Sequence, residues 1–303
     1  MIDQSKFKRI DKSLLDSDNI VRPTISYWQD AWRRLRQNPV AMVGLFLLLV
    51  SLVMVVVGPY IRGMDLYAIN GSAKFQTPDA EFWFGADALG RDLFSRIWVG
   101  ARVSLTVALL CTAIQIIVGC AYGATMAYFG GDVDNVMMRI IEIITSMPSL
   151  LITLLIMMVL GNSMWALLVA MCITAWCSTA RQMRGLIMQL REAEYVMAAE
   201  AFGANPYWII TRHLLPNTLS ILILNVATSI PTYIFTEASL SFLGMGLQSP
   251  EISLGTLIAD GQAQLDIYPH LVFFPSLVLC VIVFGFNILG DGLRDALDPK
   301  LRQ

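Results

Sequence analysis

The reading of residues 194–217, EYVMAAEAFGANPYWIITRHLLPN, decides the fold of this chain. It is the longest well-patterned polar interruption between two strongly apolar segments, and its pattern is that of two short helices joined at a glycine. Tyr195, Ala198, Ala199 and Phe202 fall at i, i+3, i+4 and i+7, which places them on one mostly small helical face. Gly203 supplies a helix stop that takes positive φ without strain. Asn205 and Pro206 then supply an N-cap and a first position for a second helix, which Pro216 is expected to close. A rigid helical hairpin with a small-residue surface, held between membrane segments, suits docking into another protein better than chemistry.

Working outward, the composition explains what surrounds the hairpin. Of 303 residues, 56% are hydrophobic and only 15% charged, with a mean hydropathy of +0.63. That exceeds the apolar content of ordinary soluble proteins and predicts a chain that lives in a bilayer. A net charge of −2 argues against nucleic acid as a partner, because phosphate binding needs a concentrated basic surface. Cys111, Cys120, Cys172, Cys177 and Cys280 all lie in apolar stretches without metal-ligand spacing and read as small buried hydrophobes, so no metal site is expected.

Six spans are expected in an all-α membrane protein. Residues 40–61 form a charge-free run of 22 residues, about 33 Å as a helix against a hydrocarbon core of about 30 Å. The run is too long for a signal-peptide h-region and starts behind a 39-residue tail. Residues 103–129 form the second span, with Gly119 and Gly123 spaced for close approach of a neighbouring helix. Residues 143–180 carry no charge for 38 positions and read as two spans turning at Gly161–Ser163, with Pro148 near the start of the first. A fifth span follows Pro216 as far as Thr236 and includes Pro231, and a sixth covers 271–289. Gln115, Asn225 and Glu237 are the polar side chains in or at these spans and are the candidates for lining a pathway. For Gln115 an interhelical hydrogen bond competes with that role, and for Glu237 simple solvation at the outer end of its span does.

Trp28, Trp32 and Leu35 share a helical face beside Arg33, Arg34 and Arg36, the pattern of a helix lying at a membrane surface; a short soluble helix is the competing reading. Between residues 62 and 102, Leu93, Phe94, Ile97 and Trp98 form an apolar stripe with an Asp92–Arg96 pair on another face, which predicts a second amphipathic surface helix. With the N-terminus inside, inner segments hold sixteen Lys or Arg and outer segments five, so both termini and the hairpin are expected in the cytoplasm.

Chemistry is missing. No GxxxxGK[ST] loop occurs, so the chain cannot itself cradle ATP in the P-loop manner. Asp132 and Asp134 have no phosphate cradle beside them. His213 and His270 fall on opposite sides of the membrane in the expected topology, and no GxSxG or HExxH is present.

The hairpin resembles the EAA loop of importer-type ABC transporter permeases, whose pattern is Glu-Ala-Ala, three residues, Gly, nine residues, Ile, one residue, Leu-Pro. Ala198, Ala199, Gly203, Leu215 and Pro216 agree with it, while Met197 replaces the Glu and His213 the Ile. A second resemblance, to the C-type permease of oligopeptide and dipeptide importers, lies in Gly85-Ala86-Asp87, Gly90-Arg91-Asp92, Ser95-Arg96 and Gly100 to Leu105. There only the threonine of the first element is replaced, by Ala86. Residues 239–258 and the closing run FNILGDGLRDALDPKLRQ resemble the same permeases.

The resemblance implies a type I ABC importer permease fold in a bacterial inner membrane. A cytoplasmic tail would occupy 1–39, a first span and outer segment 40–100, a five-span core 101–290 with its coupling loop at 181–217, and a short cytoplasmic tail 291–303. It implies that Ala198, Ala199, Gly203, Ala204, Asn205, Leu215 and Pro216 couple to a separate ATPase. The implied partners are a second permease, two ATPase subunits holding ATP and Mg, and an extracytoplasmic peptide-binding protein. A nickel or small-solute permease is a related alternative; a stand-alone membrane enzyme or proton-coupled carrier is one of another class.

Overall fold

The computed structural model describes residues 27–63, 65–248 and 251–297. Much of the basic N-terminal tail, together with Lys300 and Arg302, lies outside that range. The described residues form helices and connecting turns, with a single isolated bridge between Ala86 and Asp92.

Helix α1 (Tyr27–Gln37) runs into α2 (Pro39–Ile61) across Asn38, whose side chain accepts from the backbone of Val40 and Ala41 while Pro39 takes the first helical position. Of the expected surface face on α1, Leu35 is buried against Ala41 and Ala296, whereas Trp28 and Trp32 stay exposed. The helix therefore packs through Ala31 and Leu35 and turns its tryptophans outward.

Helix α3 (Leu93–Phe129) has 37 residues, about 55 Å of helix, and absorbs both the expected surface helix and the second span. Nothing between residues 93 and 103 breaks it. Leu93, Phe94, Ile97 and Trp98 belong to the core, and the expected Asp92–Arg96 pair does not form: Asp92 caps the helix by accepting from Ser95 N, while Arg96 approaches Asp87 at 3.3 Å. Arg96 needs no water-facing surface because its charge is met from outside the helix.

The short polar stretch after Phe129 is helical. Helices α4 (Gly131–Thr145) and α5 (Ser149–Leu160) meet at a 76° bend, where Pro148 lacks an N–H and disfavours helical geometry in Met147. Helix α6 (Met164–Arg191) follows the expected turn, capped by Ser163. It packs on α3 across the two spaced glycines: a side chain on Gly119 would begin 2.7 Å from Thr179 Cβ, and one on Gly123 would begin 2.4 Å from the Ala180 carbonyl.

Helices α7 (Glu194–Ala201) and α8 (Pro206–Ile209) form the hairpin, and α9 (Leu215–Phe242) follows α8 through a π-turn at Ile210–Leu214. Pro216 thus starts α9 instead of closing α8. Proline has no N–H for the carbonyl four residues back, and the wider i→i−5 turn, with Leu215 N donating to Ile210 O, makes room for its ring. Residues 206–242 consequently act as one 37-residue rod.

Helix α10 (Leu254–Gln262) begins within the 239–258 stretch and starts with a reciprocal capping box between Ser253 and Thr256. Helix α11 (His270–Leu297) packs closely on α2 through Gly44 and Gly285. Among the described residues five helices are long and apolar enough to cross a membrane, and the bent α4–α5 pair brings the crossings to six if it counts as one. Cys111, Cys120 and Cys177 are buried as expected, whereas Cys172 is half-buried and Cys280 is exposed on the bundle.

Candidate functional site: the hairpin and its anchorage

The hairpin is built on local rules. Gly203 sits at φ +78° and ends α7 in a Schellman motif: Gly203 N donates to Glu200 O at 2.9 Å and Ala204 N to Ala199 O at 3.1 Å. Two residues later the Asn205 side chain accepts from Tyr207 N at 2.9 Å and starts α8. No atom lies within 4 Å of where a Gly203 side chain would begin, so the glycine is there for its backbone and not for space.

Val196, Ile209 and Leu214 are completely buried with Met183 and Ile187 of α6 and with Cys120, Ala124 and Ala127 of α3. Arg191 adds a contact to Glu200 at 3.8 Å and stacks over Tyr128. His213 lies between the rings of Tyr195 and Trp208, joining the two arms. Asp134, which has no phosphate cradle beside it, grips Arg184 of α6 with both carboxylate oxygens.

The outer surface is unlike this interior. Phe202 is 92% exposed, Tyr207 75% and Met197 52%, with Ala198 exposed between them. The expected small face divides: Tyr195, Ala198 and Phe202 point outward, whereas Ala199 packs with the hairpin's own core, as do Ala204 and Leu215. Asn205 and Pro216 remain exposed. An array of exposed large apolar side chains on so rigid a support marks a surface that contacts another protein or the membrane.

The other candidates resolve differently. Gln115 is buried, donating to Thr179 Oγ1 and accepting from Tyr233 OH at 2.7 Å each, so it ties α3, α6 and α9 together. Asn225 is half-buried and donates to Gln182 Oε1 at 2.8 Å. Glu237, expected at a wet interface, is 0% exposed. It accepts from Ser104 at 2.8 Å, Ser241 at 2.9 Å and Ser253 at 2.6 Å, which locks α3, α9 and the start of α10 together. Only Ser241, one turn along the same helix, was within reach of sequence reasoning.

The 85–105 signature builds the end of the bundle opposite the hairpin. Gly85 and Gly90 adopt φ of +84° and +74°, and a side chain on Gly90 would overlap the Asn70 carbonyl. Asp87 accepts from Arg91 Nε at 2.7 Å and holds the loop at Leu89 N. Arg102 donates to Val55 O at 2.8 Å. That carbonyl lies four residues before Pro59 of α2, which has no N–H to offer it, so Arg102 satisfies a group that Pro59 leaves open inside the membrane. Gly100 lets the Ser253 backbone approach α3, and Ser104 accepts from Leu254 N.

Known proteins share this arrangement. The family model described as "Binding-protein-dependent transport system inner membrane component" matches residues 115–303, and the N-terminal TM domain of oligopeptide transport permease C matches 26–78. The dipeptide transport system permease protein DppC of Bacillus subtilis is 43% identical over 95% of this chain and 90% of its own. The oligopeptide transport system permease protein OppC of the same organism is 40% identical over 95% and 94%, and the glutathione transport system permease protein GsiD of Pectobacterium atrosepticum 35% identical over 91% and 92%. An inward-facing structure of the MetNI methionine ABC transporter superposes with a TM-score of 0.55 at 17% identity, covering 67% of this chain and 96% of that one, a likeness of fold. The chain belongs to the binding-protein-dependent transport system inner membrane components, among the C-type permease subunits of ABC importers.

Proposed function

We propose that this permease subunit forms half of the path by which short peptides enter a bacterial cell. Its hairpin would be the coupling element for a separate ATPase. The relatives named for dipeptide, oligopeptide and glutathione transport support peptide over nickel as cargo. The working partners are a second permease, two ATPase subunits carrying ATP and Mg, and an extracytoplasmic peptide-binding protein. Both termini and the hairpin face the cytoplasm in this reading, on the sixteen-to-five distribution of Lys and Arg.

One observation carries the reading. Phe202, Tyr207 and Met197 stand exposed on a hairpin whose second arm is continuous with a 37-residue membrane rod. A partner that grips the hairpin therefore moves α9. Closure of the ATPase pair draws the hairpins of the two permeases together and opens the path outward, and hydrolysis reverses this, an alternation of rigid bodies. Ala198 and Asn205 face the ATPase, whereas Ala199, Gly203, Ala204, Leu215 and Pro216 hold the surface in shape.

The test is a cross-link. With the five native cysteines replaced, Asn205→Cys in membranes containing the whole transporter is expected to join the ATPase through a short bismaleimide, and the yield should change with bound nucleotide. A cross-link only to the second permease, or none, defeats the coupling role. Uptake of labelled di-, tri- and pentapeptide, glutathione and nickel by the wild-type complex identifies the cargo.

A further inference from the structure

Between the α4–α5 bend, α6 and the middle of α9 lies an open cleft of about 640 Å³. Thr232 and Thr236 of α9 line one wall, Thr145 and Ser149 the bend, and Arg181 of α6 one end. Among the described residues Arg181 is the only charged side chain on the lining, and no carboxylate accompanies it. The guanidinium donates to Thr145 Oγ1 at the end of α4 and so sits beside the bend, with further N–H groups left for the cleft.

Where the hydroxyl protons go sets what this surface can bind. Thr232 donates to Thr228 O at 2.9 Å, Thr236 to Thr232 O at 2.8 Å and Thr145 to Ile141 O at 2.8 Å; Tyr233 donates to Gln115. Each proton is spent inside the protein, which leaves oxygen lone pairs as what Thr232 and Thr236 offer to the cleft. Thr228, exposed one turn closer to the hairpin on the same face, is back-bonded to Leu224 O in the same way. Back-bonded threonines are tolerated in lipid and decide nothing alone. The guanidinium adds the distinguishing feature: Arg181 is exposed on α6 and brings to this lining a charge that no carboxylate there neutralises.

We propose that this cleft is a transit site for the peptide main chain, with Thr232 and Thr236 accepting from backbone N–H groups and Arg181 pairing with the C-terminal carboxylate. The inference rests on the peptide reading above and adds how many sequences can share one path, since neither contact involves a cargo side chain. Thr228 to Thr236 spans eight residues of helix, about 12 Å, the reach of three or four extended residues. A carboxylate also fits a site with one cation and no competing acid better than an ammonium does.

The experiment uses the assembled complex in vesicles with its delivery protein. In a background without native cysteines, Thr232→Cys is expected to react with a membrane-impermeant thiol reagent, and a saturating tripeptide during turnover should slow that reaction about tenfold. Arg181→Gln should lower tripeptide uptake about ten- to a hundredfold, the scale of a charged hydrogen bond, and Arg181→Lys should recover most of it. Thr232→Val should lower uptake about fivefold with unchanged thermal stability, since the hydroxyl bonds only its own helix. An unreactive Thr232→Cys, which means lipid or the second permease covers this wall, overturns the proposal. So does labelling that peptide leaves unaffected, or an Arg181→Gln complex that retains its ATPase subunits and transports normally. If the wild-type complex moves no peptide at all, the cargo assignment fails first and takes the cleft's occupant with it.

Discussion

Replacing Gly203 tests the hairpin at the position where one physical cause can be isolated. Its φ is +78° and no atom lies within 4 Å of the point where a side chain would start, so a substitution adds no clash. What it adds is the left-handed backbone cost, about 1–2 kcal/mol for an ordinary L residue, less for asparagine, which visits that region readily, and more for a β-branched residue. At about 1.4 kcal/mol per tenfold, Gly203→Ala should lower the weight of the bent hairpin about five- to thirtyfold against alternatives such as a straightened helix. Gly203→Asn should lose little and Gly203→Val the most. Hydrogen exchange at the Ala204 amide, which donates to Ala199 O, reads the hairpin directly, and co-purification of the ATPase with peptide uptake reads the consequence. The order Gly, Asn, Ala, Val should hold in all three. If asparagine is as damaging as valine, or valine matches the wild type, the left-handed turn is not what shapes the docking surface.

Other perturbations separate packing from charge. Gly123→Val puts a side chain 2.4 Å from the Ala180 carbonyl and 2.8 Å from Met183 Cβ, with no room to yield. It should cost at least about 1–3 kcal/mol and abolish a monodisperse peak in size-exclusion chromatography, whereas Gly185→Ala on the facing helix α6, with open space around it, should be neutral or stabilising by about 0.5–1 kcal/mol. Glu237→Ala strands the hydroxyls of Ser104, Ser241 and Ser253 and should lower the Tm in detergent by an amount matching several unmet hydrogen bonds, about 1–3 kcal/mol each; Glu237→Gln keeps an acceptor and should lose far less. Burial raises the carboxyl of Asp260 on α10 above its usual 3.8, against the pull of Arg96 and Arg91. The native state therefore holds this proton after the unfolded chain has released it. The associated stability is full below 3.8 and is lost as pH rises through the raised value, so the Tm advantage of Asp260→Asn should grow from about pH 4 to pH 7.

What the sequence revealed and what it concealed divide by range. The Gly203 stop, the Asn205 cap and Pro206 were legible because each acts on atoms within a few residues, and the apolar runs were legible because hydropathy accumulates along one helix. The continuity of α3 was concealed because Arg96 and Arg102 look like a membrane boundary. Asp87, and the Val55 carbonyl that Pro59 leaves open, meet their charges and hydrogen-bonding needs from outside the helix. The burial of Glu237 was concealed because its serines come from positions 104, 241 and 253, and only one is local. Pro216 misled for a related reason: a proline closes an ideal α-helix, but one preceding π-turn accommodates it, and the hairpin arm continues into the membrane.

That last difference sets what the hairpin can do. Had Pro216 ended the second arm, a force on Tyr207 or Phe202 would reach the membrane only through a loop and would largely be dissipated there. With residues 206–242 forming one rod, displacement at the hairpin becomes tilt of α9. The buried Val196, Ile209 and Leu214 carry α3 and α6 along, because all three pack on those helices, whose crossing at Gly119 and Gly123 leaves no room for sliding. At the opposite end Glu237 ties the same rod to Ser104 of α3 and to the start of α10. Apolar packing of Leu167 and Leu168 with Val107 and Leu240 adds α6 at that end, so α3, α6 and α9 are joined at both ends and through Gln115 in between, and they respond to a pull as one body. The compliant element is then the 76° bend between α4 and α5, where helical hydrogen bonding is already interrupted and the cleft opens beside it. On the proposed reading, motion begun at the hairpin changes the cleft there, so the residues that would grip the motor and those that would hold the cargo are coupled through a single rigid block.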